Sequence, residues 1–277
     1  MKLCWVLMAV VLGTTAQGYA YEQKITHLIL TRIAVNRSIL ADPKVLSASL
    51  GIDAAVDLFP NDDGQWQTVR ELIPTGAVLE DAGGNFFRHF FDPLTGLGLG
   101  FGLFDPSPRW ALEDEGPPSS SPRYSLRDFR DHLGLALMAD DASVRGEWFG
   151  RAFRSIGHAV HHIEDMAQPQ HTRHDAHAIG EDALYEEVTK ERFGFREDIE
   201  AAYGPIGDPD KPLGYPIPRF PKARDYWTKA GKGIADYSNA GFVTTETNFF
   251  FDGTSFVRHP SYPTPEPILP PIVMTVA

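Results

Sequence analysis

The chain has 277 residues, with 25 basic and 37 acidic side chains, a net charge of −12 and a pI near 5.2. That balance argues against a protein that grips nucleic acid by bulk charge, and it says nothing against a cationic metal cluster, which would need acidic and imidazole ligands. Hydrophobic residues make up 43% and charged residues 22%, enough for a buried core, and no apolar run reaches the roughly 18 residues of a membrane span.

Residues 1–20 have the order of a secretory signal peptide: Lys2, an apolar stretch from Leu3 to Leu12, then Gly18-Tyr19-Ala20. Cleavage is predicted after Ala20, with Gly18 the competing point, which places the protein outside a bacterial cytoplasm, secreted or periplasmic. Cys4 is the only cysteine and leaves with that segment. Disulfides, thiol catalysis and cysteine–zinc sites are thereby excluded, and any metal must sit on His, Asp and Glu.

Residues 25–40 carry apolar side chains at helical spacing (Ile25, Ile29, Ile33, Leu40), and Asp42-Pro43 stops the pattern. A mixed stretch follows to Glu80, then a Gly- and Phe-rich segment over 83–104 and a loop over 116–122. Ser125, with Asp128 three residues on, caps a predicted helix over 125–139. A longer helix is predicted over 143–167 with Val144, Trp148, Ile156, Val160 and Ile163 inward, ended by Pro169. Another is predicted over 181–195. Six prolines between Pro205 and Pro221 mark an extended surface crossing, a last helix is expected over 223–240, and six more prolines follow from Pro260. There are no internal repeats and strand signals are weak. The expected fold is all-α: one helical domain over 21–200, with 201–277 supplying a Pro-rich connection, a further helix and a C-terminal extension of the same domain.

Six of the ten histidines fall between His158 and His177, in the run GHAVHHIEDMAQPQHTRHDAH. Residues four apart share a helix face, so His161 and Asp165 can hold one cation between them, with His158 on the adjacent rise. Pro169 turns the chain, and His171 can return to the same region. Carboxylate oxygens with imidazoles suit zinc, ahead of manganese or iron.

The helix-borne His161-x-x-x-Asp165 followed by Gln168-Pro169-Gln170-His171 resembles the bacterial zinc-dependent phospholipase C family, whose superfamily includes single-strand-specific zinc nucleases. Arg88-His89-Phe90-Phe91-Asp92-Pro93 is similar to that family's His-Phe-Tyr-Asp-Pro segment, whose histidine is a zinc ligand. The resemblance implies a helical domain of the phospholipase C and zinc nuclease type holding three zinc ions. His89, His161 and Asp81 would serve the first, with Asp165 bridging. His171, Glu186 and His177 would hold the second, with Asp182 as the alternative to His177. Tyr21, as the mature N-terminus where the family carries Trp, and His27 would complete the third. Asp81 is the expected catalytic base, with Glu80 the alternative.

The implied function is zinc-dependent hydrolysis of a phosphodiester. The expected substrate is phospholipid, split to diacylglycerol and a phosphorylated head group, with transient contact with a membrane surface and no stable protein partner. A single-strand zinc nuclease and a secreted metal-binding module without fast chemistry are the alternatives.

Overall fold

A computed structural model describes residues 26–117, 123–173, 219–241, 249–251 and 256–258. The signal segment, the predicted helix over 181–195, nearly all of the Pro205–Pro221 crossing, and the end of the chain lie outside the described residues. Those described are mostly helical, as expected. No helix among them is long and apolar enough to cross a membrane.

The first helix, α1, is Leu28–Arg37, shorter than its apolar period. Asp42-Pro43 does more than stop it. The Asp42 side chain accepts from the Lys44 N–H, and Pro43 takes the first helical position of α2, Pro43–Leu50, which closes on Gly51 at φ 69°. A hairpin follows, β1 Leu58–Pro60 against β2 Trp66–Thr68, with Phe59 opposite Gln67. The stretch expected to be mixed then contains α3, Val69–Glu80, opened by a Thr68–Glu71 capping box. Pro74 and Gly76 are both helix breakers by propensity, yet both are buried in α3, where packing overrides them. A 3₁₀ turn spans Ala82–Arg88, and the short helices α4 (Leu99–Gly102) and α5 (Ser107–Leu112) follow.

Helix α6, Leu126–Met138, begins with the expected Ser125–Asp128 capping box. Helix α7 runs Ala142–Asp165, capped by Asp141. The region predicted as one helix over 223–240 is instead a 3₁₀ turn (Ala223–Tyr226) and α8 (Ile234–Gly241), separated where Ala230 and Gly231 adopt positive φ. A second hairpin pairs β3 (Phe249–Phe251) with β4 (Phe256–Arg258).

The inward face of α7 is only partly the one expected. Val144 is exposed and Val160 half-buried, while Trp148 and Ile156, half-buried, pack against one apolar core and Ile163 against another. The buried residues include Phe149, Ala152, Phe153, Ser155, Gly157, His158, His161, His162 and Asp165. Two glycines set this rotation by letting backbones touch. A Cβ on Gly157 would lie 1.9 Å from the Ile73 carbonyl oxygen, and one on Gly76 would lie 2.2 Å from that of Arg154. Helices α3 and α7 therefore cross in direct contact. Along α7, Phe149 and Phe153 join one apolar core with Leu72 and Ile73, and Met166, just beyond the helix, joins a second with Phe91 and Trp227. The buried histidines and Asp165 lie between them.

Candidate metal centre

Six of the nine ligands expected from the sequence fall on described residues, and all six converge. His27 sits directly before α1, Asp81 caps the end of α3, and His89 ends the 3₁₀ turn after it. His161 and Asp165 stand one turn apart on α7, and His171 returns in the 3₁₀ turn Pro169–Thr172. Asp165 is the focus. Its Oδ2 lies 2.9 Å from His89 Nδ1, 3.1 Å from His161 Nε2 and 3.5 Å from His171 Nδ1, and its Oδ1 lies 3.4 Å from His27 Nε2. Asp81 Oδ1 lies 3.4 Å from His89 Nδ1 and 3.5 Å from His161 Nε2. Tyr21, His177, Asp182 and Glu186 lie outside the described residues.

These side chains fit a metal. All six are buried. Their donor atoms form three overlapping sets: His27, His161 and Asp165; Asp81, His89 and His161; His89, Asp165 and His171. Donor separations of 2.9 to 3.5 Å bracket the edge of a tetrahedron with metal–ligand bonds near 2.1 Å, which is about 3.4 Å. Both oxygens of Asp81 are buried with no hydrogen-bond partner among the described residues, a cost of a few kcal/mol unless a cation meets them. The two buried carboxylates, Asp81 and Asp165, carry the charge a divalent ion balances. Buried His, Asp and Glu groups here could therefore hold a metal ion.

The surrounding groups orient the imidazoles. His161 Nδ1 donates to the Ala77 carbonyl oxygen at 2.8 Å, which aims Nε2 at the two carboxylates. His27 Nδ1 lies 2.7 Å from Glu164 Oε2, and the Thr31 hydroxyl donates to Glu164 Oε1 at 2.7 Å. Burial, aided by neighbouring His161, lowers the His27 pKa to about 3. Burial also opposes charge on His161, but Asp165 and Asp81 outweigh it and raise its pKa to about 10. Burial lifts Glu164 to about 8 and moves Asp81 upward. It would lift Asp165 too, but His161, His171 and His89 outweigh it and hold that carboxyl well below the usual range.

Beside this centre lies a group the sequence reading did not assemble. Glu80 is fully buried. Its Oε2 lies 2.5 Å from His158 Nδ1, and its Oε1 lies 3.0 Å from both His162 Nε2 and Trp110 Nε1. Burial opposes its charge, but His158 and His162 outweigh that and hold its pKa well below the carboxylate range. His158 and His162 are four apart, as His161 and Asp165 are, so the spacing carried the signal. What it lacked was the partner about 80 residues earlier.

Comparison of the chain with protein-family models, with curated proteins and with solved structures returned no match.

Proposed function

We propose that the protein is a zinc-dependent phosphodiester hydrolase of the phospholipase C and zinc nuclease type, secreted or periplasmic, and acting on phospholipid. The observation that carries this is the convergence of His27, Asp81, His89, His161 and His171 on buried Asp165. His89, His161, Asp165 and His171 belong to the motifs that suggested the family, and His27 and Asp81 are residues the resemblance implied. Zinc ions bound there would attract phosphate oxygens, lower the pKa of a water and neutralise charge on the leaving group.

The chain's own residues do the rest. Asp165 faces four imidazoles and would be the ligand shared between ions, with His177, Glu186 and Tyr21 the proposed complement. Asp81 has no donor on either oxygen among the described residues, so it can offer one to a cation and keep the other to accept a proton from the attacking water. Glu80 is not that base, because three donors already occupy its carboxylate.

Two observations favour lipid over single-stranded nucleic acid. Leu94, Leu97 and Leu103 are exposed in the uncharged run 93–104, a few residues past His89, where acyl chains could lie. Base stacking needs open aromatic faces, yet the guanidinium groups of Arg88 and Arg123 lie over the Trp110 ring at 4.2 and 4.5 Å. Trp148 is likewise engaged, with Arg151 at 4.9 Å and His132 at 5.4 Å.

Turnover of bis(4-nitrophenyl) phosphate by zinc-loaded full-length protein tests the reaction class. Mixed phosphatidylcholine micelles set against a single-stranded oligonucleotide test the substrate. Chelator-sensitive turnover with lipid preferred is expected. No turnover in the presence of bound zinc would overturn the hydrolase reading, and preference for the oligonucleotide would move it to the nuclease.

A further inference from the structure

Glu80 and Asp81 are consecutive residues at the end of α3, both buried, yet their carboxylates meet opposite surroundings. The protons around Glu80 can be placed from chemistry alone. Arg154 Nε can only donate, and it does so to His158 Nε2 at 3.3 Å, so the His158 proton sits on Nδ1 and points at Glu80. Trp227 Nε1 can only donate, and it does so to Ser107 Oγ at 3.0 Å. The Ser107 hydroxyl then donates to His162 Nδ1 at 3.1 Å, which leaves the His162 proton on Nε2, again pointing at Glu80. Trp110 Nε1 is the third donor. Glu80 thus accepts three hydrogen bonds from α5 and α7, and both histidine donors are locked by a further partner. Asp81 accepts none.

The same carboxylate faces a ligand of the centre from behind. His89 turns Nδ1 toward Asp165, Asp81 and His161, and its Nε2, buried and without a hydrogen-bond partner among the described residues, lies 3.9 Å from Glu80 Oε1. An imidazole that ligates through Nδ1 must carry its proton on Nε2, and that proton requires an acceptor. At 3.9 Å Glu80 Oε1 is too far to be hydrogen-bonded to it, but it is the carboxylate oxygen that faces that edge of the ring.

We propose that Glu80 is a positioning residue of the metal centre. Tied to α5 and α7 by three donors, it fixes where Asp81 emerges from α3 and backs His89 as an Nδ1 ligand. Glu80, His89 and His162 are also close enough to hold an ion, but the proton on His162 Nε2, directed at Glu80, takes that place, so Glu80 itself binds neither metal nor substrate. This rests on the proposed metal-binding reading and gives the two adjacent carboxylates separate jobs. A glutamine at position 80 cannot do the same work, since its NH₂ must face at least one of the three donors.

The test is cobalt(II) titration of the full-length chain, wild type against Glu80→Gln, Glu80→Asp and Trp110→Phe, with visible absorption reporting the ligand field. Glu80→Gln is expected to weaken cobalt affinity about 10- to 100-fold and to shift the absorption band. Glu80→Asp restores part of both. Trp110→Phe keeps the carboxylate and removes one donor, so it produces a smaller change in the same direction. A folded Glu80→Gln protein with wild-type affinity and band overturns the proposal, because a group that only packs helices would move stability and leave the ligand field alone. If that variant does not fold, Trp110→Phe decides on the same two readings. If the wild type gives no cobalt band, the metal-centre reading fails and this assignment falls with it.

Discussion

Replacing Gly157 with alanine joins the packing of the fold to the chemistry of the centre. The added Cβ would lie 1.9 Å from the Ile73 carbonyl oxygen, 2.8 Å from the Ala77 nitrogen and 2.9 Å from the Gly76 Cα. All three are α3 backbone atoms and cannot swing aside as a side chain can. To restore contact distances, α3 must retreat from α7 by about 1 Å, an overpacking cost of about 3 kcal/mol, at the upper end of the usual range. Alanine's better helix propensity returns about 1 kcal/mol. The net loss of about 2 kcal/mol corresponds to a fall in Tm of roughly 4–8 °C for a domain of this size. The same retreat carries away the Ala77 carbonyl oxygen, 2.8 Å from His161 Nδ1. At about 3.8 Å that hydrogen bond no longer exists, and metal affinity should drop by about tenfold or more. Gly150→Ala is the control. Its Cβ would lie 2.1 Å from the Pro60 carbonyl oxygen, a comparable clash that falls about two turns before Gly157 on α7 and touches the β1 hairpin instead of α3. Thermal denaturation and competitive zinc chelation of both variants make the comparison. Both should melt lower, and only Gly157→Ala should lose zinc affinity. Equal affinity in the two variants, or a wild-type Tm for Gly157→Ala, would refute the reasoning.

Other predictions concern protons and the groups around the ligands. In the metal-free protein His161 keeps its proton up to about pH 10, so metal binding at pH 7 releases it, and affinity should rise about tenfold per pH unit toward that value. Calorimetry in buffers of different ionisation enthalpy reads the released proton, and an absence of buffer dependence would contradict it. Chelator-treated protein should lose stability as pH rises. The raised pKa values of Glu164 (about 8) and His161 (about 10) mean that their contributions are fully present below their ordinary values, 4.5 and 6.5, and are lost as pH climbs through the folded ones. His27 works in the other direction: with its pKa lowered to about 3, it costs stability as pH falls below 6.5, which a Tm-against-pH profile should show as an acid limb. Glu164→Gln should weaken metal binding about tenfold through the orientation of His27, with little change at pH values where the wild-type carboxyl is already protonated. Equal losses at pH values about two units either side of the Glu164 pKa would count against that role.

Much of the centre was legible because its strongest signals are local. His161 and Asp165 are four apart on one helix, and the Ser125–Asp128 capping box lies within four residues. What stayed hidden depends on distant contacts. The stretch up to Glu80 read as mixed, and only the approach of α7, whose Arg154 carbonyl oxygen a Cβ on Gly76 would meet at 2.2 Å, shows why α3 carries a glycine there. The inner face of α7 was only partly legible: Trp148, Ile156 and Ile163 do pack against the apolar cores, but hydrophobicity gave no sign that the helix also buries two glycines, three histidines and an aspartate. The Glu80 group joins residues from 80 to 227 through side chains alone, and no period within a single segment encodes it. Arg88 and Arg123 close over Trp110 in the same way, from opposite sides of it in the sequence.

Metal content tests the central claim most directly. Elemental analysis of the full-length protein, purified without chelator and compared with His161→Ala and Asp165→Ala, should find two to three zinc ions per chain in the wild type. Both variants should hold fewer, because His161 and Asp165 each belong to two of the three donor sets. One zinc or none, unchanged by either substitution, would contradict a metal centre at Asp165.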